Sequence, residues 1–387
     1  NISPHRKIMN AIEMLKTLVS FPTVSRDSNL PLIDFVDEWL GKHGVTAVRV
    51  PNDEGTKANL YATIGPNVEG GIVLSGHTDV VPIDGQPWDT DPFELTQKQD
   101  KLYGRGTCDM KGFSAIALSL VPEMKSLRKP IHLALSYDEE IGCLGAPRLI
   151  EQIKERIPKP AAVIVGEPSM METVTAHKGL SAFRTVVTGY EAHSSQTHRG
   201  VSAVMNAAKL INWLSERESH FKNSTPTNNG FFPHHTTVHA GVIHGGTALN
   251  IISRKCEFLW DVRTIPGGPA ANVHNEFQEY CDDILLPTMR SVYKGADIQT
   301  TALADVPPMK EILDNPALKL AQDLTGNTVR SRVAYVAEAG QFQKAGFPTV
   351  ICGPGSIDQA HQPNEFISID QMEQGEKFLR KLIQHLS

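Results

Sequence analysis

Two spacings of apolar residues run through the first half of the chain and set the expected elements. Continuous apolar runs at 71–75, 130–136 and 161–165 read as buried strands, and β-branched runs at 45–50 and 59–64 read as two more. Between them, apolar residues recur every three or four positions. Residues 8–19 and 30–44 therefore predict amphipathic helices, the second closed by Gly44, and 113–120 predicts a third. Helices alternating with apolar strands predict an α/β layer structure with an at least partly parallel sheet.

After Lys178 and Gly179 the pattern changes. Residues 181–188 alternate as a half-buried strand, and 200–214 form an amphipathic helix. Strands follow at 236–243 and 255–262, then a helix at 270–286 and a strand near Ile298. This β-α-β-β-α-β order is ferredoxin-like, one sheet with two helices on one face. Near Pro307 and Pro308 the chain returns to the first layer structure, with a helix at 315–325, a strand at 349–352 and a closing helix at 369–386. The expected organisation is an α/β domain in two parts, 1–179 and 304–387, interrupted by an inserted α+β domain at 180–303.

Composition narrows the function classes. The 387 residues are 40% apolar and 21% charged, as in ordinary globular proteins. With 37 Lys and Arg against 43 Asp and Glu the net charge is −6, so neither nucleic acid nor an anionic membrane is an expected partner. No apolar run approaches the ~20 residues that a bilayer crossing needs, and residues 1–7 lack a signal-peptide core. The five cysteines are scattered without a Cys-x-x-Cys pair, so reduced thiols and a cytoplasmic location are expected. No glycine-rich phosphate loop follows a predicted strand, which sets aside a nucleotide-binding enzyme.

The candidate chemistry collects where these strands end. His77 and Asp79 lie two apart on extended chain, so their side chains share a face. That suits a metal-binding imidazole whose far nitrogen is held by a carboxylate. Asp109 sits in a glycine-rich loop, Glu139 and Glu140 follow 130–136, Glu167 follows 161–165, and His361 lies in 359–365. Each also has a plainer reading. His77 and Asp79 could be a surface His and a loop Asp, Asp109 a helix N-cap and Glu139 with Glu140 a charge pair at a helix start; Glu167 could mark a turn and His361 a loop. Together they favour one site. Strand ends of open α/β sheets line the ligand crevice, and carboxylates crowded there repel one another unless a cation balances them. Two His with three or four carboxylates exceed the needs of one tetrahedral zinc. They suit two divalent metals ~3.5–4 Å apart.

These motifs also carry a family resemblance. Ser-Gly-His77-Thr-Asp79-Val-Val-Pro, Gly-Arg-Gly-Thr-Cys-Asp109-Met-Lys-Gly, Asp-Glu139-Glu140, Gly-Glu167-Pro and Ala-His361-Gln-Pro-Asn-Glu resemble the co-catalytic zinc amidohydrolases. That family includes acetylornithine deacetylases, succinyl-diaminopimelate desuccinylases, aminoacylases and related carboxypeptidases. The resemblance spans essentially the whole chain and implies a zinc-peptidase-like catalytic domain with an inserted ferredoxin-like lid and dimerisation domain. It implies that Asp109 bridges two metals, with His77 and Glu167 completing one site and Glu140 and His361 the other. Glu139 would be the general base, Asp79 the partner of His77, and Asp109-Met110 a cis peptide. Zinc is the expected metal, and oxygen-rich ligands also admit cobalt or manganese. His193, in 190–195, resembles the His that reaches the partner subunit's active site in a homodimer, against a core or cap role. Asn250 and Arg263 resemble substrate-binding residues, with a salt bridge on a lid strand the competing view for Arg263.

Within the family, 176–179 with Lys178, 337–342 with Glu338, and 353–363 with Gly353 and Gly355 look most like the acetylornithine deacetylase branch. That implies removal of acetate from N2-acetyl-L-ornithine in arginine biosynthesis. Gly353 and Gly355 would let backbone N–H groups approach a substrate carboxylate. Glu338 would answer a cationic substrate side chain or form a buried pair with an Arg such as Arg332. Residues 333–336 depart from the Gly-Thr or Cys-Thr approach expected there, which keeps acetylcitrulline and other N-acyl amino acids open. The alternatives are a desuccinylase, which needs a further cation that the sequence does not place, and a dipeptidase. A metal-free dimeric binding module would lack a ligand, and none is missing.

Overall fold

A computed structural model describes residues 9–268 and 272–387. Segment 1–7 and the expected helix starts at Ile8 and Ala270 lie outside the described residues. The chain divides into two compact units, Asn1–Thr175 with Glu311–Ser331 and Ala337–Ser387, and Ala176–Lys310 with Arg332–Val336. The second unit is wider than 180–303 and takes in a short later segment that the sequence reading gives to the first.

In the first unit, the strands Ala47–Pro51, Ala58–Ile64, Ile131–Ser136, Ile72–His77, Ala162–Val165, Thr349–Ile351, Thr173–His177 and Arg330–Val333 lie side by side in that order. The last two run past the unit's limits at Thr175 and Ser331. Four central strands are parallel: Ile72–His77 pairs with Ile131–Ser136 and with Ala162–Val165, which pairs in turn with Thr349–Ile351. All four are buried throughout, as parallel strands covered on both faces must be.

Helices cover the sheet, and their ends are written in the sequence. Ala11–Val19 opens on a reciprocal cap in which Asn10 Oδ1 accepts from Glu13 N–H and Glu13 Oε2 accepts from Asn10 N–H. Leu30–Lys42 ends before Gly44, whose φ of 76° suits a residue without a side chain. Ile369–Leu386 buries Met372, Phe378, Leu379, Leu382 and Leu386 at helical spacing in one apolar core with Leu15, Leu40 and Ile116. The helices Ala146–Arg156 and Ala339–Lys344 and the short strands Thr96–Lys98, Lys101–Tyr103 and Phe366–Ser368 lie outside the sequence expectations. Ala146–Arg156 does carry a helical stripe, Ala146, Leu149, Ile150 and Ile153, which the sequence reading passes over; the others are too short to declare a period.

In the second unit, Gly179–Thr188, Thr237–Gly245, Lys255–Thr264 and Asp297–Val306 form an antiparallel sheet. Numbered in chain order, the strands lie 2-3-1-4, the ferredoxin-like arrangement the sequence predicts. Helix Ala203–Ser224, capped by Ser202, runs ten residues past the predicted end at 214. The expected helix at 270–286 is instead Val273–Tyr280, a wide turn at Cys281–Leu285, and Leu286–Val292. Pro287 has no N–H for the carbonyl one turn earlier, which accounts for the widening. Phe258, Trp260, Phe277, Leu210 and Leu214 form a separate core.

Candidate active site

Three parallel strands deliver side chains to one edge of the first unit's sheet, the carboxyl edge. His77 is the last residue of Ile72–His77, Glu139 and Glu140 follow Ile131–Ser136, and Glu167 follows Ala162–Val165. Asp109 comes from Thr107–Lys111, where it departs from helical geometry with φ −121° and ψ 91°. Gly106 makes this turn with φ +84°, and a side chain there would collide with Val80. The helix itself starts at Gly112, so Asp109 is not its N-cap. Nor do Glu139 and Glu140 open a helix; the next begins at Ala146. The Asp109-Met110 peptide is cis, as the resemblance implies.

Asp109 sits between two imidazoles. Its Oδ1 is 3.0 Å from His77 Nε2 and its Oδ2 is 3.3 Å from His361 Nε2. Glu167 Oε1 and Glu139 Oε2 lie 3.7 and 3.8 Å from His77 Nε2, and Glu140 Oε2 lies 3.0 Å from His361 Nε2. Potential ligand atoms therefore gather, each within 4.8 Å of the others, as His77–Asp109–Glu167 and as Asp109–Glu140–His361. A third grouping is His77–Glu139–Glu140. The first two share only Asp109, one oxygen toward each.

Asp79 holds this arrangement in a way the sequence does not reveal. The near partner of His77 Nδ1 is the Asp79 main-chain carbonyl at 2.9 Å, while the carboxylate Oδ1 stands off at 3.6 Å. The carboxylate accepts from Ser25 Oγ at 2.6 Å and from the N–H groups of Glu139 and Glu140 at 3.1 and 3.2 Å. It thereby fixes the turn that presents both glutamates.

Charges in the cluster are strongly coupled. Burial opposes a proton charge on His77, but Glu139, Asp109, Asp79 and Glu167 prevail and hold it well above the usual imidazole value. Burial would raise Asp109, yet hydrogen bonds from His361 and His77 keep it below the usual carboxylate range. Burial pushes Glu139 and Glu167 well up, with neighbouring carboxylates adding to the effect. Burial beside Asp109 pushes Glu140 up to about 7, and hydrogen bonds to Asp109 and Glu140 push His361 up to about 10. Four carboxylates against two imidazoles leave an excess of buried negative charge, and Glu140 Oε1 is buried with no hydrogen-bond partner among the described residues. Oxygen and imidazole donors with an orphaned carboxylate oxygen fit divalent cations.

The sequence of the chain matches the pattern of "Peptidase family M20/M25/M40" over residues 73–385. The chain belongs to this family. It is a hydrolase of amide bonds. Acetylornithine deacetylases from Pasteurella multocida and Proteus mirabilis are 33% and 34% identical to it. The alignments cover 98% of this chain in both cases, and 98% and 97% of those proteins. Among solved structures, a metallo-carboxypeptidase of the M20 family from Sulfolobus solfataricus has a TM-score of 0.75 at 18% identity, over 97% of this chain and 98% of that one. A dinuclear metal binding peptidase of the family from Bacillus subtilis has a TM-score of 0.65 at 16% identity, over 97% of each chain.

The remaining expected residues divide sharply. Gly353 and Gly355 do not offer their N–H groups to a substrate: one donates to Ser169 Oγ and the other to Gln371 Oε1, both at 3.1 Å. A side chain on Gly353 would overlap the carbonyls of Gly166 and Glu167, so its glycine serves close packing beside the Glu167 strand. Lys178 is 1% exposed and donates to the His235 carbonyl at 2.6 Å, so its ammonium is engaged within the second unit. Glu338 is likewise 1% exposed and accepts from Ser136 Oγ, which favours an internal role over an open contact with a substrate cation. His193 is exposed with Nδ1 2.8 Å from Ser195 Oγ. Its loop is joined to that of Asn250, since Ser194 N–H donates to the Asn250 carbonyl at 3.0 Å. Arg263 is 40% exposed and 3.7 Å from Asp261. Sequence reasoning missed Ser25, whose hydroxyl has no motif around it, and Glu365, which lies inside the His361 motif.

Proposed function

We propose that this family member removes acetate from N2-acetyl-L-ornithine, giving L-ornithine for arginine biosynthesis in the cytoplasm. The observation that carries the mechanism is the placement of Asp109 between His77 and His361. His77, Asp109 and Glu167 would hold one divalent cation, and Asp109, Glu140 and His361 a second; zinc fits this donor set, as do cobalt and manganese. When bound, the pair lowers the pKa of a water and polarises the amide carbonyl. Glu139 takes the proton of the attacking water and returns it to the leaving amine, so that water is added across the C–N bond and acetate and the free amine depart. Burial and neighbouring carboxylates raise Glu139, which suits a group that must both accept and donate. His193 of the partner subunit donates to the tetrahedral oxyanion in a homodimer formed through the second unit, and its exposure supports this reading. Asn250 and Arg263 bind the substrate's polar groups.

The full-length likeness to acetylornithine deacetylases supports the narrow substrate. The test is deacetylation of N2-acetyl-L-ornithine by chelator-stripped protein titrated with zinc or cobalt, beside N-acetylmethionine and N-acetylcitrulline. Metal-dependent activity that prefers acetylornithine is expected. Glu139→Gln should lower kcat by about 10²–10⁴-fold while still taking up metal. Equal turnover of the three substrates would reject acetylornithine and keep the amide hydrolase.

A further inference from the structure

Glu365 lies outside the ligand set, yet its carboxylate is tied directly to the turn that carries Asp109. It is 1% exposed, and both of its oxygens are saturated. Oε1 accepts from the N–H groups of Cys108 and Asp109, each at 3.0 Å. Oε2 accepts from Gly106 N–H and Arg105 Nη1, each at 2.9 Å. Three backbone donors of the Asp109 turn, from Gly106, Cys108 and Asp109, thus converge on one carboxylate. Burial and the nearby Asp109 work against its charge, while the N–H groups and Arg105 support it.

The same residue closes the loop that carries His361. Arg105, equally buried, also donates to the Gln362 carbonyl at 3.1 Å and stacks on Trp88 at 5.0 Å. Gln86 Nε2 donates to the His361 carbonyl at 2.9 Å, and the Asn364 amide exchanges hydrogen bonds with Asp89. His361 and Asn364 hold φ of 63° and 59°, a conformation that costs about 1–3 kcal/mol for such residues and persists only where surrounding contacts impose it.

We propose that Glu365 is a positioning residue for the metal pair, binding the Asp109 turn to the His361 loop so that the Asp109–Glu140–His361 position is assembled. This rests on the two-metal reading above. His77 and Glu167 leave the ends of buried strands, so the other position keeps two of its three ligands without help from Glu365. The second position has two ligands, Asp109 and His361, on segments that Glu365 joins. Loss of Glu365 therefore separates the two affinities instead of lowering both equally.

The test is competition between a chromophoric chelator and stripped protein for zinc, comparing wild type, Glu365→Gln and Glu365→Asp, with unfolding of the metal-free proteins followed in parallel. Glu365→Gln sets an amide N–H₂ against backbone donors and should weaken one zinc by about 10–100-fold and the other much less. Glu365→Asp keeps the charge with a shorter reach and should fall between; it serves as the test if the Gln variant does not fold. A lower unfolding midpoint with both zinc affinities unchanged would show a structural role only and overturn the proposal. Equal weakening of both zincs would overturn it too. Wild type that binds no zinc would overturn the two-metal reading and this inference together.

Discussion

His77 and His361 meet the two oxygens of one carboxylate, but they reach it by opposite means. His77 ends a buried parallel strand and is 1% exposed; its ring is set by the strand and by the Asp79 carbonyl. His361 is 55% exposed, sits on a loop with positive φ, and owes its place to Gln86, Arg105 and Glu365. The comparison teaches that one half of the site is built into the sheet, while the other is assembled by polar contacts between loops. The sheet half is fixed when the core forms. The loop half depends on a handful of hydrogen bonds.

The largest expected contrast is between the two alanine variants in metal-free protein. His77→Ala leaves buried carboxylates without their partner and should cost about 3 kcal/mol of unfolding free energy. His361→Ala removes a half-exposed pairing and should cost about 1 kcal/mol. Both should lose zinc-dependent activity. Urea unfolding in the presence of chelator measures the difference, and equal losses would show that both imidazoles are held alike.

Asp79 joins the halves through Glu139 and Glu140, so Asp79→Asn tests whether the turn is held by charge. The amide keeps the shape but turns an N–H₂ group toward a backbone donor or Ser25. Metal affinity or kcat should fall by about 10–100-fold, with KM little changed. A change confined to KM would mean that Asp79 acts on substrate binding instead.

The remaining effect concerns Glu338 and is read as a pH dependence. Burial pushes it up to about 7, with Ser136 opposing. A carboxyl whose folded pKa lies above its unfolded value adds stability that is fully present below about 4.5 and is lost as pH rises through about 7. The difference between wild type and Glu338→Gln, measured without metal, should therefore grow between these limits to on the order of 3 kcal/mol against wild type at the upper end. A difference that stays flat with pH would show that Glu338 is ionised throughout.

Much of this was legible in the sequence because both strong signals are periodic or local. Continuous apolar strands followed at once by His or Glu placed His77, Glu139, Glu140 and Glu167 at one sheet edge, and the ferredoxin-like arrangement of the second unit followed from its order of strands and helices. The pairing of His361 with Asp109 came only through the family resemblance, since 252 positions separate them and no local pattern links them. Gly353, Gly355 and Lys178 misled for a shared reason. A glycine or a lysine in a motif signals a backbone approach or a charge, but sequence does not say whether the partner is substrate or the protein's own interior. Glu365 shows the converse. Its role comes from four donors within residues 105–109, more than 250 positions away, which only folding brings to it.

The most direct test of the central claim, that two cation positions share Asp109, is zinc bound per chain after stripping, saturation and gel filtration, for wild type and Asp109→Ala. Two zincs per wild-type chain, with both lost or greatly weakened in the variant, is the predicted result. A wild type that saturates at one zinc, or a variant that holds two as tightly as wild type, would contradict it.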